Sequence, residues 1–203
     1  MDSLFYIPIF AQCLTTLDKC SYDNANNVFM TNDSRPAVNF DKVKAVHVQS
    51  LGLTTESYPD SNDAIIQKKD GKYVFIEFKN GKIVRNKSND TTTVKAEIQY
   101  KLMEKCYDSV LLLSDIIKKD ISWMRENIEY VLVYNEQKNT FSPSNLDSVE
   151  QSFKVISDNV FSLAGMKEIL FGVGKFKKFI FNDVHTYTEK EFASFLHGIT
   201  VGQ

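Results

Sequence analysis

Glycine and proline are scarce in this chain, 8 and 4 of 203 residues. That excludes a collagen-like or Gly/Pro-rich low-complexity polymer and argues against long flexible linkers. Cysteine is sparse too. Cys13, Cys20 and Cys106 are odd in number and show no C-x-x-C spacing. Neither a disulfide framework nor a zinc site is expected, and a reducing, cytoplasmic compartment is. The three histidines, His47, His185 and His197, lie far apart and read as structural or exposed rather than as ligands. No stretch approaches 18 consecutive apolar residues, so no membrane-spanning helix is expected. The first ten residues hold a short apolar run, with Asp2 where a secretory leader would carry bases. No Ser/His/Asp or Cys/His constellation and no dinucleotide fingerprint stands out. Gly172-Val-Gly174-Lys175 lacks the four-residue spacer and the Ser or Thr of a phosphate-binding loop.

What the chain does have is an ordinary globular balance, 43% hydrophobic and 25% charged, with 15 Phe and 9 Tyr. This length and composition predict one domain over residues 1–203, with a sizeable core. The net charge of −2 excludes a globally basic nucleic-acid binder, but the charge is uneven. Residues 63–105 carry ten Lys/Arg against six Asp/Glu, or +4, while the remainder carries 14 against 20, or −6. A basic surface there suits a phosphate-rich partner, although solvated lysines would give the same count.

The most informative stretch runs from Asp63 to Lys79. Ala64 to Lys68 is short, apolar and β-branched. Lys69-Asp70-Gly71-Lys72 is a hairpin signal, because Asp-Gly tolerates the positive φ of a tight turn. Tyr73 to Lys79 then alternates. Val74, Ile76 and Phe78 share one face, and Tyr73, Phe75, Glu77 and Lys79 share the other. A strand this apolar on both sides is expected to be central, where a charge is costly unless it is paired or holds an ion. Antiparallel pairing would bring Asp63, at the start of the first strand, to Glu77 and Lys79, at the end of the second. Two carboxylates and the main-chain carbonyl of Phe78 would then form a hard-oxygen site suited to Mg²⁺ or Mn²⁺.

The spacing D-x13-E-x-K across a hairpin, in "SYPDSNDAII" and "YVFIEFKNGK", resembles the PD-(D/E)xK nuclease superfamily. The resemblance implies a restriction-endonuclease-like fold: an α/β core of mixed β-sheet flanked by helices, with a hairpin, a long helix and a strand in that order. It also implies metal-dependent hydrolysis of phosphodiester bonds, in DNA more often than in RNA. Asp63, Glu77 and Phe78 would hold the metal, and Lys79 would orient or activate water. Asp60 matches the literal "PD", but Asp63 directly precedes the aliphatic strand and is preferred. Nucleases of this kind often carry a further acid on the preceding helix; Asp41 and Glu56 are the candidates, and Glu56 is nearer in sequence. On the helix that follows, Lys95 and Gln99 share a face one turn apart and could reach the site. Met103 stands where a QxxxY pattern would have Tyr. A homodimer would suit cutting two strands.

Elsewhere, residues 3–20 read as partly helical, with an apolar stripe of Leu4, Ile7, Phe10, Leu14 and Leu17 and with Pro8 near the start. Residues 21–39, rich in Asn, Asp and Ser, read as loop. Residues 41–51 fit either a helix capped by Asn39 or Asp41, or a strand over Val43–Val48. Residues 82–90 read as a basic loop or short strand. The longest helical signal covers 92–119, with one stripe through Val94, Ile98, Leu102, Cys106, Val110, Leu113 and Ile117. A second stripe, Tyr100, Met103, Tyr107 and Leu111, predicts a helix buried on two sides. A short helix over 121–128, a strand over Glu129–Tyr134, a helix over 145–157, a short helix from Met166 and a strand over Phe176–Phe181 follow. Thr188 and Glu191 form a capping box before a last helix that buries Phe192, Phe195, Leu196 and Ile199.

Abundant Lys and Asn with few Gly and Pro suit a low-GC bacterium or its phage, and so a defence role for a nuclease. The competing expectation is a non-catalytic interaction protein on a similar fold, such as an immunity protein, antitoxin or assembly partner. The mild net acidity and the missing QxxxY favour it.

Overall fold

The structure is a computed structural model and describes residues 4–53, 58–86, 92–140 and 171–199. The helices expected over 145–157 and from Met166 lie outside these residues. In chain order the elements are α1 (Pro8–Gln12), β1 (Leu14–Thr16), α2 (Leu17–Cys20), β2 (Tyr22–Asp23), β3 (Val28–Phe29), β4 (Pro36–Asn39) and α3 (Phe40–Ser50). The hairpin strands β5 (Ala64–Gln67) and β6 (Tyr73–Lys79) follow, then β7 (Val84–Asn86), β8 (Thr92–Val94), α4 (Ala96–Ile117) and α5 (Ile121–Asn127). The last are β9 (Ile128–Tyr134), β10 (Asp183–Thr188) and α6 (Glu189–Gly198).

The fold is α/β. Six strands form one mixed sheet in the order β1-β4-β5-β6-β9-β10. The first four pair antiparallel, whereas β6–β9 and β9–β10 are parallel. Parallel neighbours need a crossover, and α4 and α5 supply it between β6 and β9. The β5–β6 turn places Gly71 at φ +83°, the conformation that the Asp-Gly pair was expected to supply.

Each face of the sheet is covered. Tyr73 and Phe75 of β6, with Tyr130 and Leu132 of β9, pack against Leu102, Cys106 and Leu113 of α4 and against Phe10 and Phe40. Val74, Ile76 and Phe78 pack with Val131 and Val133 against Phe192 and Leu196 of α6 and Leu17 of α2. Burying each such side chain contributes about 1.5–3 kcal/mol, which is why β6 and β9 sit at the centre. No described helix is long and apolar enough to cross a membrane.

Several sequence expectations are corrected. Residues 14–16 leave the helical stripe for a strand, and residues 21–39 are not all loop. They hold the β2–β3 ribbon and β4, a strand of the main sheet that begins at Pro36, where a missing N–H is tolerated. Residues 40–50 are helix, and the Asn39 side chain caps it by accepting from the Lys42 N–H. The long helix starts at Ala96, because Thr92–Val94 pairs with β7. Of its second stripe, Tyr100, Tyr107 and Leu111 are exposed and only Met103 packs against the core, so α4 is not buried on two sides. Phe176–Phe181 is no strand. It folds into a short 3₁₀ turn and a bend with Lys178 at φ +59°, which lets Phe176 and Phe181 pack on each other. The strand comes after it, at Asp183–Thr188. The capping box at Thr188 is present, and α6 fully buries Phe192 and Leu196 and partly buries Phe195.

Candidate functional site

The register of the hairpin sets the site. Ala64 pairs with Ile76, so Asp63 stands just before the first residue of β5, while β6 continues to Lys79. The main-chain N–H of Asp63 donates to Ile76, and its carbonyl accepts from Phe40. That leaves the Phe78 N–H without a strand partner on this edge. The Asp63 carboxylate takes it, with Oδ2 accepting at 2.6 Å. Within a strand residue the N–H and C=O point to the same neighbour, so the Phe78 carbonyl aims to the edge where Asp63 sits.

Glu77 follows Tyr73 and Phe75 on the face that looks at α4, and it has no solvent exposure. Lys79 Nζ lies 2.9 Å from Glu77 Oε1. From α4, Lys105 Nζ donates to both Glu77 oxygens, at 2.7 and 2.9 Å, and lies 3.3 Å from Asp63 Oδ1. Four charged side chains therefore meet at one sheet end. Burial, reinforced by the Glu77 charge, pushes the Asp63 carboxyl up to about 7, while Lys105 and the Phe78 N–H pull the other way. Burial works against the charge on Lys105, but Glu77 and Asp63 outweigh it and hold the ammonium above the ordinary lysine range.

A further acid stands nearby. Asn39 ends β4 and caps α3, which puts Asp41 in the first turn of that helix. Asp41 Oδ1 accepts from Ser61 Oγ at 2.5 Å and from Lys44. Asp41 and Asp63 line a common cleft of about 290 Å³, together with Lys19, Tyr22, Asp23 and Asn80. Glu56, the other candidate for this role, lies outside the described residues.

Lys95 and Gln99 come before Lys105 along the same segment. The ion pairs of Asp63 and Glu77 run to Lys79 and Lys105. Gln99 lies about 9 Å before Lys105 along the helix, and its amide packs against Gly172. Lys95 sits at the N-cap of α4, where its main-chain N–H donates to Ile83. Asp60 is apart from Asp63. It groups with Glu104 and Asp108, half-buried, with one oxygen of each within 4.8 Å of the others. These three carboxylates could hold a metal ion. As they stand, Lys101 pairs with Asp60 and with Glu104, and Asp108 Oδ2 accepts from the Asp60 N–H at 2.8 Å.

The residue that sequence reasoning passed over is Lys105. In the sequence it is one of the ten Lys/Arg of residues 63–105, yet it falls three after Leu102 and four before Ser109, both fully buried. A lysine on the buried stripe of a helix is a signal of a partner charge. Comparison with family models, with curated proteins and with solved structures found no match for the chain.

Proposed function

We propose that this protein is a metal-dependent nuclease with a restriction-endonuclease-like core, acting on DNA in preference to RNA. The observation that carries the reading is the meeting of Asp63, Glu77 and Lys79 at one end of the β5–β6 hairpin. The β-β-α-β order, with β6 parallel to β9, supports it. The donor set suits a hard divalent cation: two carboxylates and a main-chain carbonyl at one end of the sheet, where Lys79 and Lys105 now supply the positive charge.

In this reading Asp63, Glu77 and the Phe78 carbonyl hold Mg²⁺ or Mn²⁺, with Asp41 as the acid contributed by the preceding helix. The bound ion would polarise the scissile phosphate and acidify a water. Lys79, held by Glu77 yet 26% exposed, orients the attacking water and offsets charge on the phosphate. Lys105 neutralises Glu77 and must yield part of that contact when the cation is present.

One observation favours a second reading. Lys105 already satisfies both carboxylates, as a tethered cation would in a non-catalytic interaction protein of the same fold. The two readings separate on one experiment, in which the protein is incubated with supercoiled DNA, linear DNA, single-stranded DNA and structured RNA in Mg²⁺, Mn²⁺ or EDTA. Cleavage that needs the metal and disappears in Lys79→Ala is the expected result. Folded protein that cuts none of these substrates would move the assignment to the interaction protein.

A further inference from the structure

The carboxylates do not lie on an open surface. Glu77 has no exposure and the Asp63 side chain is 18% exposed. Asp63 forms part of the wall of the cleft of about 290 Å³, at the small end of the ~300–1,000 Å³ range of ligand pockets. That is room for about one nucleotide. A duplex stays stiff over ~150 bp and carries its phosphates on the outside of a thick rod, so it cannot narrow itself to enter.

The outer wall of this cleft is the β2–β3 ribbon, through Tyr22 and Asp23. The Tyr22 ring packs on Phe29, with centroids 4.6 Å apart, and the Tyr22 hydroxyl donates to Asn27. Phe29 is 49% exposed and Val28 40%. Single exposed apolar residues need no explanation. This one is different, because its ring extends the Tyr22 ring out of the cleft into an aromatic surface. The ribbon is also fixed relative to the carboxylates. Asn80, which follows Lys79, donates from Nδ2 to Asp23 Oδ2 at 2.8 Å. Its Oδ1 accepts from Lys138 Nζ at 3.1 Å, and Lys19 lines the same cleft. Lys19 therefore lines a preformed slot with an aromatic wall, whose acids are Asp23, Asp41 and Asp63, and Lys138 is tied to that lining through Asn80.

We propose that this slot seats one nucleic-acid strand, with a base on the Phe29–Tyr22 surface, its phosphates near Lys19 and Lys138, and the strand leading to Asp63. The inference rests on the nuclease reading and gives that site its substrate class: single-stranded rather than duplex nucleic acid. Stacking on an aromatic ring is worth ~1–3 kcal/mol per base and tolerates any base, and phosphate contacts position a strand without reading sequence.

The test uses fluorescently labelled oligo-dT, oligo-rU and a blunt DNA duplex. Binding is followed by anisotropy in EDTA and cleavage in Mn²⁺. Wild-type protein should bind a single strand at least about 10-fold tighter than the duplex. Phe29→Ala should weaken that binding about 10-fold, the lower half of the stacking range, and Phe29→Trp should restore it. The two single strands decide between DNA and RNA. Duplex bound as tightly as either strand, or Phe29→Ala binding like wild type, overturns the inference. Phe29-dependent strand binding with no cleavage of any substrate leaves the slot standing and sinks the nuclease reading alone.

Discussion

Lys105 holds Glu77 by both carboxylate oxygens, at 2.7 and 2.9 Å, in a place where Glu77 has no contact with solvent. Removing one partner of such a pair leaves a buried charge with too few partners. In EDTA, Lys105→Met should therefore lose about 3 kcal/mol of stability, read from urea midpoints. Mn²⁺ should recover more stability in this variant than in wild type, because the divalent cation takes over the role of the ammonium. Equal Mn²⁺ gains in both proteins would mean that Lys105 and the metal do not compete for the same charge.

Asp63 makes stability depend on pH in a stated direction. An unfolded aspartate titrates near ~3.9, whereas Asp63 in the folded chain titrates at about 7. Between these values the folded state binds the extra proton. Its contribution to stability is complete below ~pH 4 and is lost as pH rises through 7. In EDTA, unfolding free energy should fall with pH across this window by up to about 1.4 kcal/mol per unit from this group. His185 works against it, because burial, its largest influence, lowers its pKa. The informative quantity is thus wild type minus Asp63→Asn, which should slope downward with pH. A flat difference would show that Asp63 carries no raised pKa.

The hairpin and the convergence of its charges were readable because two local signals agreed: the Asp70-Gly71 turn and an alternating apolar strand. The partner of those charges was not readable in the same way. Recognising Lys105 required knowing which side of α4 is buried, and the second apolar stripe through Tyr100 and Leu111 disguised it. Burial of a helix face is decided by what packs on it. β4 was hidden for a related reason. Its neighbourhood is polar and Asn-rich, and only pairing with β1 and β5 makes Pro36–Asn39 a strand. β10 has a polar residue at most positions, and its burial alternates. The more apolar Phe176–Phe181 drew the strand assignment although its residues close a turn.

Gly172 tests how the region after α4's partner strand is fastened to that helix. Its φ is +75°, and an added Cβ would come within 2.5 Å of Gln99 Nε2 and 2.8 Å of Gln99 Cγ. Gly172→Ala should cost about 1–3 kcal/mol, combining backbone strain with overpacking. Adding Gln99→Ala should relieve only the packing part, so the double variant should lose less stability than the sum of the single variants. Strict additivity would place the whole cost in the backbone.

Asn39 connects the fold to the chemistry through one hydrogen bond. Its Oδ1 accepts from the Lys42 N–H at 2.9 Å, closing the first turn of α3, and Asp41 stands inside that turn. Asn39→Ala removes the cap and should cost about 1 kcal/mol, whereas Asn39→Ser keeps an accepting oxygen and should cost little. If Asp41 serves the metal, loosening its turn also weakens the acid that α3 contributes. Asn39→Ala should then raise the Mn²⁺ concentration for half-maximal cleavage, Asp41→Asn should raise it further, and Asn39→Ser should leave it near wild type. Asp41→Asn with an unchanged Mn²⁺ requirement would confine Asp41 to its bonds with Ser61 and Lys44, and the cap at Asn39 would then matter for stability alone.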